Sequence, residues 1–333
     1  MDVRGNGEAP VGRLAQAVLG LFAAPRINMH EDYLLVRRAQ RALSWLPVDR
    51  SRILDRSVPR PDGSEIPVRL FHPRGDVRPG VLLFFHGGGW VTGDVDTYTT
   101  TCLTMADQTG RLVCSVDYRL APEHPFPAGL EDCLRVAEHV LQHPEVVEAD
   151  DPATVTLVGD SAGGNLAACV SLALRERGGA LPGGQILLYP VTQWDHDPAT
   201  SPFPSVADYG TGLRLTAQEV ADYLEMYQPD PGQRDSPLVS PLAAEDLSGQ
   251  PPTLVVTAEF DLLRDEGEAF GRALRAAGTP TRVERVDGAL HGFIALPRFL
   301  RPASAYEYIN AFLDGDLVDS RRLPEKAGTG GGR

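Results

Sequence analysis

The chain has 333 residues, of which 42% are hydrophobic and 23% charged, the balance of a globular protein with a substantial core of its own and not of a disordered one. Its formal net charge is −14, which opposes binding to a phosphate backbone over most of the surface and argues against nucleic acid as a partner. No apolar run reaches membrane-spanning length, and the four cysteines (Cys102, Cys114, Cys133 and Cys169) form no CxxC pair, so neither a stable membrane anchor, a zinc site nor a disulfide framework is expected.

In chain order, residues 1–50 read as helical, with apolar stretches around Leu14–Phe22 and Tyr33–Leu46. The first stretch imitates the core of a signal peptide. The residues before it, however, include Asp2, Arg4, Glu8 and Arg13, whose charges cancel where such a peptide is positive. An amphipathic covering helix and a cytoplasmic protein with buried thiols are the expectation, with secretion as the alternative. Two short extended runs then flank the turn signal Pro61–Asp62–Gly63 and predict a hairpin.

From residue 81 onward, apolar runs alternate with helical segments: VLLFF (81–85), RLVCSVDY (111–118), TVTLVG (154–159), QILLYP (185–190) and TLVVTAE (253–259). Continuous apolar strands between helices indicate a mostly parallel sheet buried on both faces, an α/β fold. The alternation lapses between Pro190 and Pro251, where prolines surround one helix, TAQEVADYLEMY (216–227), with Thr216 and Glu219 spaced as a capping box. TRVERVD (281–287) and a helix near 303–314 close the pattern. The expected organisation is an N-terminal helical cap segment (1–50), a core in two parts (51–190 and 251–318), a cap insertion (191–250) and a mobile tail (319–333).

Two glycine-rich segments carry the chemistry. In TLVGDSAGGNLAACVSLAL, a strand ends and a helix begins around Gly159–Asp160–Ser161–Ala162–Gly163. This is G-x-S-x-G in its strand–turn–helix context. Ser161 then sits on a sharp turn at a helix N-terminus, where developing negative charge is favoured. An ordinary Gly-rich βα turn is the bland alternative. In VLLFFHGGGWVTG, His86–Gly87–Gly88–Gly89 follows a strand, and its glycines can aim backbone N–H groups at a tetrahedral oxyanion. The N–H groups of Gly88, Gly89 and Ala162 are assigned as donors. A phosphate-cradling loop would need GxxxxGK[ST], which is absent.

A nucleophilic serine needs a base and an acid, in the chain order Ser, Asp or Glu, His. Only His196 and His291 follow Ser161. His196 lies in WDHDP and reads as a solvated loop residue, whereas His291 lies in GALHGF after the last strand and is the chosen base. Asp261, just past TLVVTAE, is favoured as the acid. Glu259 reads as strand, Asp265 as helix and Asp287 as a turn former beside Gly288. His139 and His143 form HxxxH, but Val140 stands where a zinc protease needs glutamate, so a helical pair is expected and no metal or other cofactor.

With these residues placed, the chain resembles the hormone-sensitive-lipase-like esterases, the bacterial family IV group. The resemblance rests on HGGGW (86–90), DYRLAPEHPFPA (117–128), GDSAGG (159–164), DLLRDE (261–266) and HGF (291–293), which appear in family order across roughly residues 80–295. It implies a Ser161–Asp261–His291 triad, an oxyanion hole from Gly88, Gly89 and Ala162, and a cap that admits short or medium acyl chains. Leu262 stands where the family often has proline, which concerns turn rigidity alone. Asp160 and Glu123 read as scaffold residues. The resulting expectation is a serine carboxylesterase acting on a small-molecule ester without a cofactor. An amidase or deacetylase on the same site, a non-catalytic binder, and a homodimer stay open.

Overall fold

The computed structural model describes residues 28–43, 48–295, 302 and 304–317. The apolar stretch around Leu14–Phe22 and the tail 319–333 lie outside the described residues, as does part of Tyr33–Leu46. An eight-stranded sheet with strand order β1-β2-β4-β3-β5-β6-β7-β8 organises the rest. The hairpin β1 (Ile53–Pro59) and β2 (Glu65–Phe71) is antiparallel, and β2 pairs antiparallel with β4 (Leu112–Val116). β4, β3 (Val81–Phe85), β5 (Val155–Asp160), β6 (Gly184–Leu188), β7 (Thr253–Phe260) and β8 (Thr281–Leu290) are parallel. The apolar runs predicted as strands therefore form the sheet. Asp287, expected in a turn, is instead inside β8, which runs on past Gly288 to Leu290.

The unbroken apolar runs follow from burial on both faces. In β3, Leu83 and Phe85 point into one core, and Leu82 and Phe84 into the other. The first core is closed by α3 (Ala128–Gln142), α4 (Ala162–Glu176) and α7 (Arg264–Ala276), through residues such as Val136, Leu166 and Phe270. The second is closed by α2 (Thr99–Thr109) and α8 (Ser304–Leu313), through Met105, Ile309 and Phe312. Period-2 side-chain alternation between two cores thus makes every position of β3 apolar. All four cysteines are free and buried. No described helix is long and apolar enough to cross a membrane.

The segment between β6 and β7 carries α5 (Pro204–Tyr209) and α6 (Ala217–Tyr227). The capping box at α6 is formed in full, with the Glu219 N–H donating to Thr216 Oγ1 and Glu219 Oε2 accepting from the Thr216 N–H at 2.8 Å. The Tyr227 ring at the end of α6 stacks on Trp90 at a centroid distance of 4.4 Å. α1 (Met29–Leu43) lies beside α6 and is tied to the core by Arg37, which donates to Val91 O at 2.7 Å and to both Glu123 carboxylate oxygens at 2.8 and 2.9 Å. Glu123 of the APEH stretch is therefore a structural anchor for α1.

The hairpin is fastened by Asp132 on α3, which is only 1% exposed. It accepts from Arg60 Nε at 2.8 Å and Nη2 at 3.0 Å, and from Arg119 N–H, Nε and Nη2 at 3.0, 2.9 and 2.9 Å. Burial pushes its carboxyl up, but these bonds outweigh burial and hold it below the ordinary range. Asp132→Ala removes the buried carboxylate that pairs with both guanidinium groups and is expected to cost about 3 kcal/mol. Urea unfolding checks this: a lower midpoint at unchanged slope is expected, and a loss below about 1 kcal/mol would contradict it.

Candidate active site

The turn from β5 into α4 is built by steric exclusion. A Cβ placed on Gly159 would lie 2.0 Å from Gly163 O, and one on Gly163 would lie 1.9 Å from Phe85 O. No larger residue fits at either place. Between them, Ser161 takes φ 55° and ψ −119°, a conformation that costs a non-glycine residue on the order of 1–3 kcal/mol. Its N–H donates to Leu188 O at 2.9 Å, which fixes the turn against β6.

The parallel strands deliver the other groups to the same, C-terminal edge. The neighbours of β3 are β4 on one side and β5 on the other, so the chain's winding reverses there, the place where open α/β sheets collect their ligand chemistry. Asp261 follows β7, and His291 follows β8. The His291 Nε2 lies 2.9 Å from Ser161 Oγ, and its Nδ1 lies 2.7 Å from Asp261 Oδ2. Asp261 is 2% exposed and also accepts from the Leu263 N–H at 3.0 Å. The Tyr189 ring meets the His291 ring edge-on at 4.9 Å. The arrangement offers a hydroxyl with a base in contact and a buried carboxylate that orients the base.

The competing acids are otherwise engaged. Glu259 accepts from the Gly288 N–H at 2.6 Å, and Asp265 is in α7, paired with Arg264 at 2.8 Å. His196 corrects the expectation of a solvated loop. It is 4% exposed, and its Nε2 lies 2.8 Å from Glu266 Oε2, in a pair that also accepts the Thr192 N–H and pins the start of the 191–250 segment to α7. No signal in WDHDP reveals this, because Glu266 is distant in sequence. His139 and His143 sit at the end of α3 with rings 5.1 Å apart, and no cluster among the described residues gathers three metal-binding side chains.

The loop after β3 brings Gly88 (φ 115°) and Gly89 (φ 61°) into conformations open to glycine. Their N–H groups have no protein acceptor among the described residues. Ala162 is the first residue of α4, where a backbone N–H has no intrahelical partner. A Cβ on Gly89 would lie 2.3 Å from the Tyr223 ring, so α6 rests directly on this loop. His86 is fully buried; burial pushes its imidazole down toward the neutral form, and Nδ1 lies 2.9 Å from Gly87 O. It shapes the loop from below.

Asp160 joins the two glycine segments. One carboxylate oxygen accepts the Gly87 N–H at 2.8 Å, and the other accepts from Tyr98 and Tyr189 hydroxyls at 3.1 and 3.4 Å. Burial pushes its carboxyl up to about 6, against the hydrogen bonds that favour the charge. A carboxyl raised on folding stabilises the protein below its unfolded value near 3.8, and that contribution disappears as pH rises through about 6. Asp160→Asn is therefore expected to remove on the order of 3 kcal/mol of pH dependence between about pH 4 and 6.5. Denaturant midpoints across that window test it; an identical slope in both proteins would contradict the assignment.

Comparison with known proteins agrees with this architecture. Residues 82–295 match the family described as alpha/beta hydrolase fold. The chain is 37% identical to a carboxylic ester hydrolase of Mycobacterium tuberculosis, across 88% of this chain and 79% of that one. It is 35% identical to an ethyl acetate hydrolase of Pseudomonas putida, across 75% and 78% of the two. The solved hyperthermophilic esterase from Pyrobaculum calidifontis superposes with a TM-score of 0.80 at 33% identity, covering 92% of this chain and 97% of that one. With most of its length matched in this way, the chain belongs to the α/β-hydrolase fold family, as a carboxylic ester hydrolase of the hormone-sensitive-lipase-like branch.

Proposed function

We propose that this carboxylic ester hydrolase cleaves short- to medium-chain acyl esters, acetyl esters among them, through Ser161, His291 and Asp261. The observation that carries the reading is the continuous chain of contacts from Ser161 Oγ to His291 Nε2 at 2.9 Å and from His291 Nδ1 to Asp261 Oδ2 at 2.7 Å. His291 takes the Ser161 proton as Oγ attacks the ester carbonyl, and Asp261 holds the imidazole tautomer and its charge. The N–H groups of Gly88, Gly89 and Ala162 receive the oxyanion. His291 then gives its proton to the leaving alcohol, leaving an acyl-serine. Water, deprotonated by His291, attacks the acyl carbonyl and restores Ser161 with release of the acid.

Each donor of such a hole contributes about 10²–10³ in rate, so the placement of the glycine loop carries a substantial share of the catalysis. α1 and the segment 191–250 act as the cap in this reading. The close seat of α6, with Tyr223 against Gly89 and Tyr227 against Trp90, supports a small acyl site. The name of one relative, the ethyl acetate hydrolase, points toward small esters as well.

A series of p-nitrophenyl esters from acetate to palmitate tests the proposal. The value of kcat/KM should peak at short to medium acyl chains and fall by about 10-fold or more toward the long ones, each unaccommodated methylene forfeiting part of its burial energy. Ser161→Ala should leave only background rate. A maximum on long-chain emulsions would contradict the small-site reading.

A further inference from the structure

Arg214 lies between α5 and α6, on an exposed stretch that belongs to no motif of the sequence. A Cβ placed on Gly292 would come 3.3 Å from Arg214 Nε and 3.5 Å from both Cζ and Nη2. The guanidinium therefore rests against the residue that follows His291, and Gly292 (φ 75°) leaves the room for it. Its charge reaches the floor of the site too. Burial lifts the Tyr98 and Tyr189 hydroxyls well above the ordinary phenol range, Asp160 lifts them further, and Arg214 pulls both the other way.

Other arginines around the site are engaged. Arg264 donates to Asp265 at 2.8 Å and to the Tyr209 hydroxyl at 3.3 Å, and Arg37 is held by Glu123. Arg214 has no hydrogen-bond or ion-pair partner among the described residues. On a chain of net charge −14, a cation without a carboxylate beside the base is a recognition feature awaiting an anion. Its position also selects which end of the substrate it meets. A base that protonates the leaving oxygen must have the alcohol portion on its own side.

Resting on the ester-hydrolase reading above, we propose that Arg214 is a specificity residue that binds an anionic group on the alcohol portion of the ester. The substrate class is then an acyl ester of a carboxylate-bearing alcohol or phenol. A guanidinium offers paired N–H donors to a carboxylate, an interaction stronger than that between neutral groups and dependent on the planar fork.

The test compares kcat/KM for 4-acetoxybenzoate with that for neutral 4-acetoxybenzamide, in the wild type, Arg214→Gln and Arg214→Lys. A second pair, monophenyl succinate and phenyl butyrate, places the charge on the acyl side. Because each variant is scored by the ratio within a pair, the fraction of active enzyme cancels. The anionic-to-neutral ratio for the acetoxy pair should fall about 5- to 10-fold in Arg214→Gln, chiefly through KM, and be partly retained in Arg214→Lys. The wild-type ratio should itself shrink as salt is added. An unchanged ratio in Arg214→Gln, or a fall confined to the succinate pair, would overturn the assignment. Failure of the wild type to hydrolyse even the neutral acetate would overturn the ester reading on which it rests.

Discussion

Backbone crowding at the end of β5 is the constraint on which the site depends. The turn into α4 comes so close to itself and to β3 that a single methyl group at Gly159 or Gly163 would overlap a carbonyl oxygen by more than an ångström. This closeness holds Ser161 in a left-handed conformation that its own side chain disfavours. The strain is balanced by the two buried cores packed on either side of the sheet. Because Gly163 abuts the carbonyl of Phe85, the serine turn and the start of the glycine loop are a single packed unit.

Asp160 makes the same connection by hydrogen bonding. Its carboxylate holds Gly87 on one side and two tyrosines on the other, and one of those tyrosines, Tyr189, supports the ring of His291. Serine turn, glycine loop and histidine thus share one buried carboxyl. Above them, α6 sets the Tyr223 ring directly on Gly89 of the glycine loop.

Much of this was legible in the sequence because the responsible forces are local. Five consecutive buried residues in β3 need five apolar letters, and a turn without room for Cβ needs glycine at fixed spacing, so VLLFFHGGG and GDSAG announce their structure. The capping box at Thr216 is equally local. The alternative acids and His196 were harder, since their partners come from other strands and helices. Glu266 buries His196 across some seventy positions of sequence, and nothing near WDHDP indicates it. Asp287 misled for a different reason: the Asp-Gly pair is a turn signal, but pairing of β8 with β7 continues through it around an irregularity. Tyr223 lies on the helix read over 216–227 and Arg214 just before it, but only tertiary packing brings them to Gly89 and Gly292.

In the proposed mechanism Ser161 is a nucleophile activated by His291. Reaction with a fluorophosphonate followed by peptide mass spectrometry addresses it most directly. One phosphonyl adduct per chain is expected, on the peptide containing Ser161, and none in Ser161→Ala. A wild type that fails to label, or an adduct that persists in Ser161→Ala, would contradict it.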